Sequence, residues 1–271
     1  MIQINHLTVC YNQTGCFAKA SSLAAVDGVS LKIQEKSIFA LVGESGSGKT
    51  TLGLAMTRLI NAGEGGIVSG SVIVDGENIL RLTEEKLRDI RGRKISYIFQ
   101  EPASALNPIM TIGRQIDEAL LAHGIAGKKK VRDMALESLR AARLDNAGRV
   151  YDSYPHQLSG GMKQRAMIAM AIAARPRLLI ADEPTTALDI DTEKEILDLL
   201  LSLRAELRLS ILFITHNIRI VKDIADETAV MCKGRVVEAG PASKVFRAPR
   251  HEYTKLLVLS TPENFRRGIK I

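Results

Sequence analysis

The stretch Gly43-Glu44-Ser45-Gly46-Ser47-Gly48-Lys49-Thr50-Thr51 fits the template G-x-x-x-x-G-K-[ST], with Gly43 and Gly48 framing a loop. Such a loop suits phosphate. A helix start leaves backbone N–H groups unpaired and carries partial positive charge. Gly46 and Gly48 let the backbone bend so that several N–H groups converge on one anion. Lys49 would reach the β- and γ-phosphates of a nucleoside triphosphate, and the Thr50 hydroxyl would ligate Mg²⁺. This chemistry needs a strand before the loop and a helix after it. Ile38-Phe39-Ala40-Leu41-Val42 is the apolar run of a buried strand. Leu52, Met56 and Leu59 then recur at helical spacing, and Gly63 offers a stop. A glycine-rich turn that binds nothing is the alternative, and it leaves the flanking strand and helix without a reason.

Three further stretches could act on the same nucleotide. Leu178-Leu179-Ile180-Ala181-Asp182-Glu183 is an apolar run ending in two carboxylates. Asp182 would hold Mg²⁺ through its water shell, and Glu183 would orient or deprotonate an attacking water. An unpaired acid pair beside a buried strand end would be costly without a cation. Alone, the pair could equally cap a following helix. Ile211-Leu212-Phe213-Ile214-Thr215-His216 is another apolar run with a polar end, and parallel sheets deliver such ends to a ligand crevice. His216 could bond the γ-phosphate and the water, although a lone histidine is more often structural. Leu158-Ser159-Gly160-Gly161-Met162-Lys163-Gln164-Arg165 places a good N-cap, Ser159, before a helical pattern of Met162, Ala166, Ala169 and Ala173. Gly160 and Gly161 permit an anion to approach the backbone there. No Lys-Thr pair follows, so this helix start can hold a γ-phosphate without completing a site. The economical reading is that it closes over a nucleotide held by a second domain; the simpler one is a capped helix.

The elements that must position these residues are readable around them. Residues 2–9 and 26–33 pattern as strands, and residues 67–75 as another, turning at Asp75-Gly76. Tyr11 ends the first strand. Its ring could stack on an adenine, with Phe17 as a weaker rival, or it could be a half-buried surface aromatic. Residues 95–100 read as a strand, after which Pro102 and Pro108 break regular structure. Residues 111–174 are helical in pattern with no evident strand. The strand pattern resumes at 178–181. A helix follows near 192–208, then a strand pair near 228–239 turning at Lys233-Gly234.

Composition bounds the rest. The chain has 271 residues, 46% hydrophobic and 25% charged, ordinary for a globular protein with a sizeable core. Aromatics make up 4% with no Trp, which argues against stacking platforms for nucleic-acid bases. The net charge of +7 suits nucleic acid, an anionic membrane face or a scattered solvated surface; its one tight basic run is Lys128-Lys129-Lys130. Three irregularly spaced cysteines, Cys10, Cys16 and Cys232, give neither a disulfide framework nor a zinc pattern, and point to a reducing, cytosolic compartment. No secretion signal and no run of about 18 apolar residues is present, so the chain is not expected to span a membrane by itself.

Taken together, these residues resemble the ATP-binding subunit of ABC transporters. The matching motifs are residues 43–51 (Walker A), Gln100 (Q-loop), residues 158–165 (signature), residues 178–183 (Walker B), Ala187-Leu188-Asp189 (D-loop) and His216 (switch histidine), with Tyr11 as the A-loop candidate. They stand in the family's order and cover essentially the whole chain. The resemblance implies an α/β P-loop NTPase with a RecA-like core, an N-terminal antiparallel β subdomain and an inserted α-helical subdomain. It implies one nucleotide-binding domain over residues 1–271. Residues 1–100 and 175–240 would form the core with its β subdomain, about 101–174 the helical subdomain, and 241–271 a C-terminal tail. ATP and Mg²⁺ are the implied cofactors. Glu183 and His216 would be catalytic. Tyr11, residues 43–51 (Gly43, Glu44, Ser45, Gly46, Ser47, Gly48, Lys49, Thr50, Thr51), Gln100, Ser159, Gly160 and Gly161 would bind nucleotide, and Thr50, Gln100 and Asp182 would hold the metal.

A finer resemblance links Phe99-Gln100-Glu101-Pro102, residues 105–111 and the segment Phe246-Arg247-Ala248-Pro249-Arg250-His251-Glu252-Tyr253-Thr254 to the oligopeptide, dipeptide and nickel importer group. Met162-Lys163-Gln164-Arg165 resembles the first of the two non-identical ATPases of those systems. Three departures stand out: Glu252 replaces the usual Pro, Asn217 replaces a commoner Asp after His216, and the tail lacks the cysteine cluster of many peptide importers, so no iron–sulfur cluster is expected. The implied partners are a second ATPase subunit, paralogous or identical, in a head-to-tail dimer, two membrane permease subunits and an extracellular or periplasmic solute-binding protein, with no nucleic acid. The implied location is the cytoplasmic face of the membrane. A soluble ABC ATPase acting on nucleic acid or ribosomes is the alternative, though such proteins usually carry two motif sets or large insertions. A non-hydrolysing regulatory subunit is disfavoured by intact Lys49, Asp182, Glu183 and His216.

Overall fold

Apolar residues opposite one another shape the first sheet. The structure, a computed structural model, describes residues 1–12, 22–60, 65–125, 127, 129–186 and 188–260. Strands β1 (Ile2–Asn12) and β2 (Ser22–Ile33) pair antiparallel, setting buried Ile2 against Ile33, Ile4 against Leu31, Leu7 against Val29 and Val9 against Val26. The step from Ile4 to Leu7 breaks strict alternation. A register shift there absorbs the extra residue and keeps the apolar set on one face. Strand β3 (Ile38–Val42) is buried at every position, as its unbroken apolar run predicts.

Helix α1 (Lys49–Ala55) is shorter than the spacing of Leu52, Met56 and Leu59 suggests. Arg58 adopts φ 50°, and the Leu59 N–H returns to the Leu54 carbonyl at 2.9 Å, closing the helix end. The Arg58 guanidinium donates to the Leu82 carbonyl at 2.7 Å, which holds this turn in place. Leu59 is consequently exposed. Gly63, the expected stop, lies outside the described residues. Strand β4 (Gly65–Val74) pairs with β1 and turns through Asp75-Gly76, φ 51° and 85°, into the short β5 (Glu77–Asn78). The order in this sheet is β2-β1-β4-β5.

The chain divides into two units, one of Met1–Leu82 with the segment from Leu212 onward, the other of Thr83–Ile211. In the second, α2 (Glu84–Ile90) starts at Thr83, and β6 (Ile95–Ile98) ends two residues before Gln100. Pro102 opens a single helical turn, α3 (Pro102–Ala105), rather than an irregular stretch. A first-turn proline loses no helical hydrogen bond, so it nucleates here instead of breaking. Helices α4 (Ile112–Ala122), α5 (Val131–Ala141), α6 (Ala147–Asp152) and α7 (Gly160–Ile172) follow, with no strand among the described residues between β6 and β7 (Leu178–Asp182). β7 runs parallel to β6, pairing Ile95 with Leu178 and Ile98 with Ala181. The long α8 (Ile190–Leu207) then leads into β8 (Ser210–Thr215), which crosses from the second unit's sequence into the first's.

In the first unit the chain returns as α9 (Ile218–Ile224), β9 (Glu227–Cys232), β10 (Arg235–Pro241), α10 (Ala242–Arg247) and α11 (Glu252–Leu259). Here the strands run in the order β10-β9-β3-β8, with β3 parallel to β9. The β9–β10 hairpin turns at Lys233-Gly234, φ 46° and 81°, the handedness that two-residue hairpins favour. Ala40, Val42, Ile218, Val221, Val230, Ala242, Val245, Phe246 and Leu257 form one buried cluster, with Tyr253 and Val258 packed on it. Each large side chain there stabilises by roughly 1.5–3 kcal/mol on burial. Apolar packing therefore fastens α9, α10 and α11 to this sheet. No described helix is long and apolar enough to cross a membrane.

Candidate functional site

In the first unit, buried β3 delivers the chain to the glycine loop. Two close approaches dictate glycine there. A Cβ on Gly43 would lie 2.2 Å from the Met231 carbonyl oxygen, and one on Gly48, at φ 101°, would lie 2.1 Å from that of Ala25. Gly48 is also the N-cap of α1, and no side chain caps that helix. The positive end of the helix dipole therefore meets the loop with no side chain over it, the arrangement an anion favours. Lys49, 4% exposed, turns back over the loop: its Nζ donates to the carbonyls of Gly43 at 2.9 Å and Glu44 at 2.8 Å, and to Ser47 Oγ at 3.4 Å. A phosphate oxygen is a stronger, charged acceptor than any of these. Ser47 is buried, whereas Glu44, Ser45, Gly46 and Thr50 are exposed and Thr51 is half-buried. The cradle fits a polyphosphate.

Two other expected residues belong to this unit. Tyr11, half-buried on β1, faces Gly65 of β4 so closely that a Cβ there would meet its ring at 2.6 Å. Phe17 lies outside the described residues. His216 stands exposed just past the end of β8. Asn217 caps α9, accepting from the Arg219 N–H at 3.1 Å. Asn and Asp cap about equally well, so the local fold tolerates this departure. Glu252 is the first residue of α11, a position where proline loses no bond and an acid suits the helix dipole.

In the second unit, β7 carries Asp182 in at 2% exposure. The Tyr97 hydroxyl on β6 donates to Asp182 Oδ2 at 2.7 Å. Burial, reinforced by the Asp182 charge, pushes that hydroxyl far above its ordinary value, so it stays a donor at neutral pH. Glu183 follows at φ 45°, an uncommon region for a glutamate. Its Oε2 accepts from Gln100 Nε2 at 3.0 Å and from Thr186 Oγ1 at 2.9 Å. Since Gln100 donates through its nitrogen, its amide oxygen is the atom a cation would take. Asp189 caps α8, accepting from the Thr192 N–H at 2.9 Å; Ala187 lies outside the described residues. Those bonds hold the Asp189 carboxyl below its ordinary value.

Ser159 caps α7, its Oγ accepting from the Met162 N–H at 3.3 Å. Gly161 packs against Thr192, 3.0 Å from a would-be Cβ, but a Cβ on Gly160 would meet nothing within 4 Å. Buried Gln164 donates to the Pro184 carbonyl at 2.7 Å, tying this helix to the turn after Glu183. Within this unit the structure thus joins Gln100 to Glu183 directly, and the signature helix to the acidic turn. Sequence reasoning missed Tyr97 and Thr186. A tyrosine inside an otherwise apolar strand was the available signal for the first; Thr186 gave none.

A glycine loop opening a helix after one buried strand, and a second buried strand ending in a carboxylate pair, define a P-loop nucleotide-binding protein. Residues 26–186 match the family model described as ABC transporter. The chain is 41% identical over 256 residues to a probable peptide ABC transporter ATP-binding protein of Sinorhizobium fredii, covering 94% of this chain and 76% of that one. It is 44% identical over 264 residues to a putative peptide import ATP-binding protein of Brucella melitensis biotype 1, covering 93% and 78%. Among solved structures, a dimeric ATP-binding cassette in a post-hydrolysis state with ADP and Pi aligns at TM-score 0.77 and 30% identity, over 89% of this chain and 99% of that one. A Clostridium perfringens subunit that is part of the ABC transporter complex cbiONQ aligns at TM-score 0.74 and 25% identity, over 97% and 96%. The chain belongs to the ABC transporter family, as its ATP-binding and ATP-hydrolysing subunit.

Proposed function

We propose that this subunit drives import of a small solute, a peptide foremost and nickel or a metal chelate as the related choice, through a separate membrane permease. The names of the curated relatives support peptide import. The observation that carries the mechanism is Gly160. Its own chain leaves it open at the start of α7, so its own fold gives no steric reason for glycine there and an anion from outside could approach its backbone. That anion is the γ-phosphate of a nucleotide held on a second ATPase subunit, paralogous or identical, in a head-to-tail dimer.

In this reading the loop of residues 43–51 binds the phosphates, with Lys49 turning from the loop carbonyls to the β- and γ-oxygens, and Tyr11 stacks on the adenine. Thr50, Gln100 and Asp182 would hold Mg²⁺, which when bound neutralises charge on the phosphate oxygens. Their hydroxyl, amide and carboxylate oxygens are the hard donors Mg²⁺ takes alongside phosphate. Glu183 takes the proton of the attacking water, while Gln100 and Thr186 keep its carboxylate in place until then. His216 bonds the γ-phosphate. Tyr97 orients Asp182.

The subunit would sit on the cytoplasmic face of the membrane, with a solute-binding protein supplying the permease from outside. A largely apolar groove of about 170 Å³, lined by Phe99, Ala105, Leu120, His123 and Met167 among others, would receive a short helix of the permease. Phe99, 40% exposed beside Gln100, would report nucleotide state to it. The test is Glu183→Gln. ATP binding and a closed dimer should persist while turnover falls about 10²–10⁴-fold, the usual contribution of a general base. Unchanged turnover would remove Glu183 from the mechanism. Affinity purification from membranes decides the partner: a polytopic permease supports import, and co-purified RNA or DNA overturns it.

A further inference from the structure

Helix α11 reaches back to the glycine loop. The Glu44 backbone N–H donates to the Tyr253 hydroxyl at 3.1 Å. That N–H belongs to the peptide group whose carbonyl, Gly43 O, accepts from Lys49 Nζ at 2.9 Å. A peptide group is planar, so fixing the direction of its N–H fixes that of its C=O. The next carbonyl, Glu44 O, is held by Lys49 Nζ at 2.8 Å and by the Ser47 N–H at 3.2 Å.

Tyr253 is itself anchored. Glu238 of β10 accepts from the Arg250 N–H with Oε1 and the His251 N–H with Oε2, both at 3.0 Å, and so fixes the start of α11. His251 Nδ1 accepts from the Tyr253 N–H at 3.1 Å, and the Tyr253 ring packs on the cluster that includes Phe246 and Leu257. Burial first of all raises the Tyr253 hydroxyl above its ordinary value, so it stays a neutral phenol. All of these residues lie within the first unit.

We infer that Tyr253 is a positioning residue for nucleotide binding, holding the Gly43–Glu44 peptide at the angle that aims Lys49 into the phosphate cradle. The inference deepens the proposed function and rests on that loop being the ATP site. In this way the C-terminal helix, remote in sequence, sets the affinity of the loop.

The test uses the full chain, titrated calorimetrically with Mg-ADP so that no turnover occurs. Tyr253→Phe keeps the ring and removes only the hydroxyl. Its Kd for Mg-ADP should rise about fivefold, the worth of one neutral hydrogen bond, with the Tm within a degree or two of wild type. Glu238→Gln can accept only one of the two N–H groups it now holds. It should weaken binding in the same direction, and the double variant should be no weaker than Tyr253→Phe alone. Wild-type affinity in Tyr253→Phe, or full additivity in the double variant, would overturn the inference. Should the Tm fall, titration below all the melting temperatures still gives the comparison. Failure of the wild-type chain to bind Mg-ADP would sink the ATP-site reading instead, which separates the two failures.

Discussion

Helix α1 begins at Gly48 with no side chain capping it, whereas α7 begins at Ser159, whose hydroxyl accepts from the Met162 N–H. Both starts carry glycines and both read as anion sites in the sequence. At α1 the glycines are demanded from inside: carbonyls of Met231 and Ala25 lie where side chains would stand, and buried Lys49 crosses the loop. At α7 the serine already satisfies one helix N–H, and Gly160 faces open space. The first start is built and closed by its own chain. The second is finished as a helix but unexplained as a site until something approaches from outside.

That contrast can be broken or sharpened by substitution. Gly48→Ala should be the most damaging. It places a Cβ against a carbonyl at a φ that L-residues avoid, costing about 2–4 kcal/mol and most of the nucleotide affinity. Thermal melting and Mg-ADP titration read both, and a variant of native stability would show that the loop has slack the structure denies. Ser159→Ala should cost about 1 kcal/mol through loss of the cap. It should also weaken ATP-dependent dimers, seen by gel filtration in a Glu183→Gln background. Gly160→Ala should move stability by no more than about 0.5 kcal/mol, because the added methyl meets nothing in its own chain. It should nevertheless prevent the ATP-dependent dimer. A Gly160→Ala chain that still dimerises with ATP would leave α7 as only a capped helix, and the contrast would lose its functional meaning.

The parts of the fold that were legible are those with local causes. The unbroken apolar runs at 38–42 and 178–181 became buried strands, and Asp75-Gly76 and Lys233-Gly234 became hairpin turns, each with a glycine to take the left-handed backbone. Where the cause was not local, the sequence misled or was silent. Helix α1 stops at Ala55, and the turn that follows it passes through Arg58, a non-glycine residue in the left-handed region, held by a bond to Leu82 that no pattern near residue 58 announces. Pro102 started a helical turn where it had been read as a breaker.

By itself the sequence determined the chemistry on offer. The residue types and spacing around Lys49, the order of the motifs and the family follow from short stretches whose meaning is carried by neighbours a few positions away. Only the tertiary structure decided who holds whom. Gln100 meets Glu183 across 83 positions, Tyr97 meets Asp182 across 85, and Tyr253 meets Glu44 across 209. Each is a hydrogen bond that exists because packed strands and helices bring distant backbone together. Local propensity and periodicity carry no information about such distances, so the bonds that orient the candidate site residues became visible only once the chain was folded.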